Sequence, residues 1–301
     1  MKGTISMKRM MACFLAMLLS LSTWARADFD FPEGTFLPAG EAPVITETSY
    51  QSENISIEIS AMRVEKADVH VADIYVRDIS FYQRYFVGTF NPQNSPKRMQ
   101  VGPMATQAGA ILAMTGDSAD GFSVGWVIGN GEIVRDSTNS KRDICLLLSS
   151  GEMRTVLAKE IDYEWLDTEF KAGNIWQLFC FGPALLDEEG KALTKFNSDV
   201  LPNNPRSVIG YYEPGHYCFV QVDGRSSPSK LEAKKKNSGL DMTNLAALME
   251  ELGCKAAYNL DGGQSSVMWF NGAIVSSPAT KDGKGRKVGD IVMITEPIVS
   301  D

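Results

Sequence analysis

Histidine is nearly absent: His70 and His216 are the only two in 301 residues. A zinc site built on imidazoles therefore lacks its ligands, and no two cysteines stand at the C-x-x-C interval that zinc or dithiol chemistry uses. Beyond residue 27 no apolar run is long enough to cross a bilayer as a helix. Basic residues are also outnumbered. The chain carries 29 Lys and Arg against 37 Asp and Glu, a formal charge of −8. An acidic surface of this kind repels nucleic acid, so any anion the protein binds must be held by local arginines against the overall field. No internal repeat is visible, and helical periodicity is scarce.

What is present begins with a leader. Lys8 and Arg9 precede an apolar run from Met10 to Leu21, and Ala25-Arg26-Ala27 is a small-x-small cleavage pattern. Residues 1–27 read as a secretory signal, and the mature protein is expected to be secreted or periplasmic. Cys13 comes too early in the run to serve as a lipid anchor. Cleavage would leave roughly 274 residues with a charge of about −12, room for one large domain. Residues 28–43 form a Pro- and Gly-containing N-terminal leader, and 44–301 the functional domain. Cys145, Cys180, Cys218 and Cys254 remain, and an oxidising compartment allows either disulfides or buried thiols.

The domain reads as α+β, mainly β, with several hairpins and a strand–helix–strand unit in the C-terminal half. "ISIEISAMRV" and "VHVADIYVRD" alternate apolar and polar residues as half-buried strands do. Hairpin turns are expected at Asn130-Gly131, around Glu188–Gly190, at Glu213-Pro214-Gly215 and at Asn271-Gly272. The clearest helix spans 244–252, with Thr243 as its N-cap and Gly253 as its stop. A weaker one lies near "MATQAGAILA". The 244–252 helix links "CFVQV" to "AAYNL", which predicts parallel strands whose carboxyl ends share one edge of a sheet. Between them "SSPSKLEAKKKNSG" reads as a long mobile loop.

Two motifs sit at those strand ends. In "NLDGGQSS", Gly262 and Gly263 permit positive φ and close backbone approach, Ser265 adds a hydroxyl, and Asp261 supplies a carboxylate. Either an anion-binding nest or a glycine-rich bulge with a capping Asp fits that spacing. In "QVDGR", Asp223 stands near Arg225, whose planar fork suits phosphate. "NNPRSVIG" adds Arg206 on a neighbouring strand. Asp117, Asp223 and Asp261 would hold Ca²⁺ or Mg²⁺ only if they converge, and no cofactor is otherwise implied.

The ordered series "NPRSVIG", "VDGR" and "AYNLDGGQSSVMWFNG" resembles the phosphodiester glycosidase family, most strongly from Pro205 to Ser277. The resemblance implies a hydrolase acting on sugar-1-phosphodiesters or related anionic glycans, in bacteria often within exopolysaccharide metabolism. Arg206, Asp223, Asn259, Asp261, Gly262, Gly263 and Ser265 stand at the family's characteristic positions. Arg225 matches the bacterial form, and Gly116 and Asp117 a Gly-Asp pair of bacterial relatives. Asp261 and Asp223 are then the expected catalytic acids, with the other residues holding substrate and phosphate. Three departures bear on the substrate: Gln264 replaces a third glycine, Ser118-Ala119 replaces an aromatic-bearing pattern, and the loop 226–237 is long and lysine-rich. Cleavage of C1–O would expel a stable phosphate monoester, so arginines and N–H donors would stand in for part of the usual acid. The competing readings are a binding protein that grips anionic glycan without cutting it, and a structural domain in which both acids satisfy backbone N–H groups.

Overall fold

Local turn chemistry lays out much of the chain in this computed structural model, which describes residues 29–88, 97–118, 124–138 and 140–296. The expected export signal and Ala119 lie outside the described residues. In chain order the first strands are β1 (Val44–Ile45), β2 (Ser49–Gln51), β3 (Ile55–Val64), β4 (Ala67–Val76), β5 (Tyr82–Phe86) and β6 (Leu112–Thr115). Next come β7 (Gly125–Gly129), β8 (Glu132–Ser137), β9 (Ile144–Leu148), β10 (Met153–Val156) and β11 (Ile175–Phe179). The last are β12 (Arg206–Glu213), β13 (His216–Val222), β14 (Ala256–Asn259), β15 (Met268–Phe270), β16 (Ala273–Ile274) and β17 (Asp290–Ile294). Helices α1 (Val101–Gln107), α2 (Tyr163–Lys171) and α3 (Met242–Glu251) complete the described regular structure.

The strands form three sheets: β1-β2-β3-β4-β13-β12-β14, β10-β9-β11-β7-β8 and β16-β15-β6-β17-β5. Every pairing is antiparallel. The protein is thus mainly β with few helices. Asn130 and Gly131 take φ of 54° and 77°, as a two-residue hairpin turn between β7 and β8 demands. The turns at 213–215 and 271–272 join β12 to β13 and β15 to β16. Around 188–190 the expected hairpin reduces to a bridge between Leu186 and Ala192.

The seven-stranded sheet is buried on both faces. On one side Val69, Val71, Val208, Val220 and Val222 pack against Leu245, Leu248 and Met249 of α3. On the other, Ile74, Ile209, Phe219 and Tyr258 meet residues of the two smaller sheets, among them Leu147, Phe179, Met114 and Val292. Truncating a fully buried residue such as Leu245 to alanine would cost about 2–5 kcal/mol. Helix α3 starts earlier than expected because Asp241, not Thr243, caps it: the Asp241 carboxylate accepts the Asn244 N–H at 2.8 Å. Helix α2 was not expected. Its signals are local ones, Asp162 accepting from the Glu164 and Trp165 N–H groups and Gly173 at φ 77°.

One feature of the topology positions the site. Strands β13 and β14 run parallel, but β12 lies between them and pairs antiparallel with both. Arg206 opposes Val222 and Val208 opposes Asn259, so the carboxyl ends of β13 and β14 share one rim with the start of β12. The loop 226–237, expected to be mobile, is pinned beneath that rim. Buried Asp68 accepts from Arg63 Nη1 (2.6 Å), Ser229 Oγ (2.8 Å) and the Lys230 N–H (2.7 Å), and Lys230 Nζ donates to Val275 O at 2.7 Å.

Candidate active site

A cavity of about 320 Å³ opens at this rim. Asp261 lies on its wall with Gly262, Gly263 and Gln264, and four guanidinium groups surround it: Arg142, Arg206, Arg225 and Arg286. Two other hollows, about 530 and 420 Å³, are lined by Glu160 and Glu188, with Glu152 and Asp187 in the larger and Asp162 in the smaller. Arg154 in both hollows and Lys255 in the larger are outnumbered by these carboxylates, which repel phosphate. In the first cavity the four arginines outnumber Asp199 and Asp261 and attract phosphate in a protein that is acidic overall.

Asp261 is 6% exposed. One oxygen accepts the Gly262 N–H at 2.8 Å, and the other accepts Arg286 Nη2 at 3.2 Å. Burial raises its pKa above the usual carboxylate range, and hydrogen bonds from Ser265, Gly262 and Arg286 with the Arg286 charge pull it only part of the way back. The backbone beneath is fixed by the Asp261 N–H donating to Gly116 O at 3.1 Å. A buried carboxyl with a raised pKa, facing a cavity and steadied by one arginine, is suited to exchange a proton or to face a developing positive charge.

The two glycines serve close approach. A Cβ on Gly262 would lie 2.7 Å from Pro205 O. Gly263, at φ 66°, carries the Arg225 guanidinium directly on its Cα: a Cβ there would stand 2.9 Å from Nη2 and 3.0 Å from Cζ. The loop is not an open anion nest, because its N–H groups are used internally. Gly263 N donates to Pro205 O, Ser265 N to Gly262 O and Ser266 N to Gly263 O. Ser265 is fully buried, and its hydroxyl accepts from Arg286 Nε (3.0 Å) and Nη2 (2.7 Å). Its place is therefore to orient Arg286 rather than to touch phosphate.

Among the arginines, Arg225 is anchored by Nε on Asn204 Oδ1 at 3.1 Å, leaving both terminal nitrogens without a partner among the described residues. Arg206 is 3% exposed and donates to Leu240 O, Leu201 O and Pro202 O, so most of its fork holds the rim together. Burial, together with the nearby Arg225 charge, lowers its pKa to about 10, and it stays protonated at neutral pH. Arg142 Nη1 donates to Phe181 O at 2.9 Å.

Besides Ser265, three expected site residues stand off the cavity wall. Asp223 reaches the shared rim, yet its side chain is 1% exposed and does not line the cavity. Both its oxygens accept the Ser277 N–H at 2.9 Å, and one meets His70 Nε2 at 3.1 Å. A catalytic part was expected of it; in this placement it ties β13 to the 276–277 segment. Asp117 and Gly116 lie behind the wall. Asp117 is wholly buried, accepting the Cys180 and Phe181 N–H groups at 2.8 Å each beside the Arg84–Asp290 ion pair of 2.7 Å. Burial, helped by the Asp290 charge against the opposing Arg84 charge, pushes its pKa up to about 6. The Gly116 Cα abuts the Asp290 carboxylate, leaving no room for a side chain. These two residues act on the cavity through Phe181 and the Asp261 backbone. Asp117, Asp223 and Asp261 do not converge, and among the described residues no three His, Cys, Asp or Glu side chains group to hold a metal ion.

Sequence reasoning missed Arg286 and Arg142. For Arg286 the available signal was the run "DGKGRKVGD": Gly283 and Gly285 take positive φ and bend the chain so that the Arg286 N–H donates to Gln264 O.

A family model for phosphodiester glycosidase matches residues 104–295, which takes in the Gly116–Asp117 pair, the rim and every cavity residue named above. The chain belongs to the phosphodiester glycosidase family. Its fold is similar to that of the catalytic domain of zebrafish N-acetylglucosamine-1-phosphodiester alpha-N-acetylglucosaminidase, auto-inhibited by its pro-peptide, with a TM-score of 0.58 at 20% identity over 81% of this chain and 83% of that one. A hypothetical protein from Synechocystis shares the fold at a TM-score of 0.52 and 12% identity, over 81% of this chain and 62% of its own. Among curated proteins, the SPbeta prophage-derived uncharacterized protein YomE of Bacillus subtilis (strain 168) is 24% identical over 264 residues. That stretch is 84% of this chain, which spans only 38% of the length of YomE. No described helix is long and apolar enough to cross a membrane.

Proposed function

We propose that the protein hydrolyses the C1–O bond of a glycosyl-1-phosphodiester in a glycan or cell-envelope polymer, in the secreted or periplasmic space to which the 1–27 signal would deliver it. The observation that carries this reading is the raised-pKa carboxyl of Asp261 on the wall of an arginine-lined cavity. Arg225, with both terminal nitrogens open, and Arg286 hold the phosphate. Asp261 takes a proton from water as the water oxygen bonds to C1. The C1–O pair leaves with the phosphate monoester, and the sugar is released as its hemiacetal. The leaving group is already an anion held by guanidiniums, so a second carboxyl acid is not required. No bound ion enters any of these steps.

Hydrolysis in oxygen-18 water tests the bond: label in the sugar supports the reading, and label in phosphate means a phosphodiesterase. Asp261→Asn should abolish turnover with the melting temperature held or raised, because burial already disfavours the anion. Turnover surviving in that variant refutes the role. The binding-protein reading has one specific support, the sealing of Asp223 away from the cavity, which leaves Asp261 as the buried carboxyl on its wall among the described residues, beside exposed Asp199. Tight binding of sugar phosphates with no turnover of any glycosyl phosphodiester would establish it.

A further inference from the structure

Asn259 ends β14, lines the same cavity as Asp261 two residues on, and is 2% exposed. Its amide orientation is fixed by chemistry: Nδ2 donates to Gly182 O at 2.8 Å, and the reversed amide would set oxygen against oxygen. Oδ1 is thereby left buried, with no hydrogen-bond partner among the described residues. A buried acceptor without a donor is a standing cost, and sites that carry one gain from any ligand that supplies the donor. Phosphate cannot be that ligand group. A phosphodiester at neutral pH has oxygens and no proton to give, so it and Oδ1 repel.

We propose that Asn259 Oδ1 is the acceptor for a hydrogen-bond donor on the sugar ring, and that it fixes specificity for sugars with a hydroxyl or acetamido N–H next to the anomeric carbon. This rests on the sugar-phosphate reading of the cavity. The division of labour follows from polarity: guanidiniums take the phosphate, Asp261 faces C1, and Asn259 takes the C2 substituent. Oδ1 has almost no surface open to a water-sized group, so the cavity wall must give slightly for the donor to reach it, and a bond formed there discriminates more sharply than one at an exposed position. Within the substrate- and phosphate-holding part expected of Asn259, this assigns it to the sugar.

The test is calorimetric titration of the full protein with glucose 1-phosphate, its 2-deoxy-2-fluoro analogue and inorganic phosphate. The fluorine keeps the size of the group and removes its proton. Glucose 1-phosphate should bind about tenfold tighter than the fluoro analogue. Asn259→Ala should level the two while leaving inorganic phosphate affinity unchanged. Equal affinity of the native protein for both sugar phosphates overturns the assignment of Asn259 and leaves the phosphate site standing. An Asn259→Ala loss shared by inorganic phosphate also overturns it, since the residue would then belong to the phosphate wall. If no probe binds, the sugar-phosphate reading itself falls. The ligand-side comparison needs no variant, so it decides the matter even if Asn259→Ala fails to fold.

Discussion

Gly263→Ala separates a glycine needed for a fold from one needed for a site. The residue sits at φ 66°, and alanine there costs about 1–2 kcal/mol of backbone strain. The new methyl would also stand 2.9 Å from Arg225 Nη2, 3.0 Å from Cζ and 3.1 Å from Nη1. These atoms are the far end of a long, exposed side chain, so the guanidinium moves and the backbone does not, and the 3.1 Å bond from Arg225 Nε to Asn204 Oδ1 is lost. The stability loss should stay near the strain alone, a fall in melting temperature of roughly 2–4 °C for a domain of this size. Affinity for a glycosyl phosphodiester should fall about ten- to a hundredfold, the scale of a charged hydrogen bond. Arg225→Ala should lose about as much, and the double variant no more than either, because both changes remove one contact. Calorimetric titration of the four proteins measures this. Additive losses, or a Gly263→Ala protein that binds as the native one does, would refute the placement of Arg225 on the phosphate.

Other outcomes follow from the same geometry. Asp223→Asn should lower the melting temperature, by about 1–3 kcal/mol of stability for a disrupted buried acceptor, while turnover per folded molecule is unchanged; a catalytic loss at native stability would return Asp223 to the mechanism. If Asp261 acts as its anion, the acid limb of kcat/KM should lie above the ordinary carboxylate range, and a limb within that range contradicts its burial-raised pKa. Asp117 should titrate near pH 6 by carbon-13 carboxyl NMR. Its pKa is raised from 3.8, so its contribution to stability is full below that value and is lost as pH rises through about 6; a midpoint near 4 would refute the account. Cys218 and Cys254, buried with sulfurs 3.7 Å apart, should be the pair that oxidised glutathione links, with Cys145 and Cys180 recovered as thiols by alkylation and mass spectrometry.

Much of the fold was legible where a few adjacent residues decide it. Asn130-Gly131 and Asn271-Gly272 announce hairpins because their φ requirements are local, and the shared rim of Asp223 and Asp261 follows from one helix linking two strands. Helix α2 was equally local, and Asp162 with Gly173 would have located it. Side-chain direction was not legible. Asp223 looked like a partner of Asp261, but its orientation is set by Ser277, 54 residues later, and by His70 on β4. Arg286 and Arg142 reach the cavity from loops distant in sequence; the glycines beside Arg286 mark only a bend in the chain, and nothing adjacent to Arg142 distinguishes it from a surface arginine. The glycines at 262 and 263 were recognised as special, while what they make room for, a carbonyl and a guanidinium, required coordinates.

Interposing β12 sets the two acid-bearing strands two inter-strand spacings apart, about 10 Å. That gap leaves room for each carboxyl to acquire its own neighbours. One is held as a rivet between segments, and the other faces the cavity. The two positions answer to different partners, Ser277 and His70 for one and Gly262 and Arg286 for the other, so a change at one does not reach the other through a shared contact.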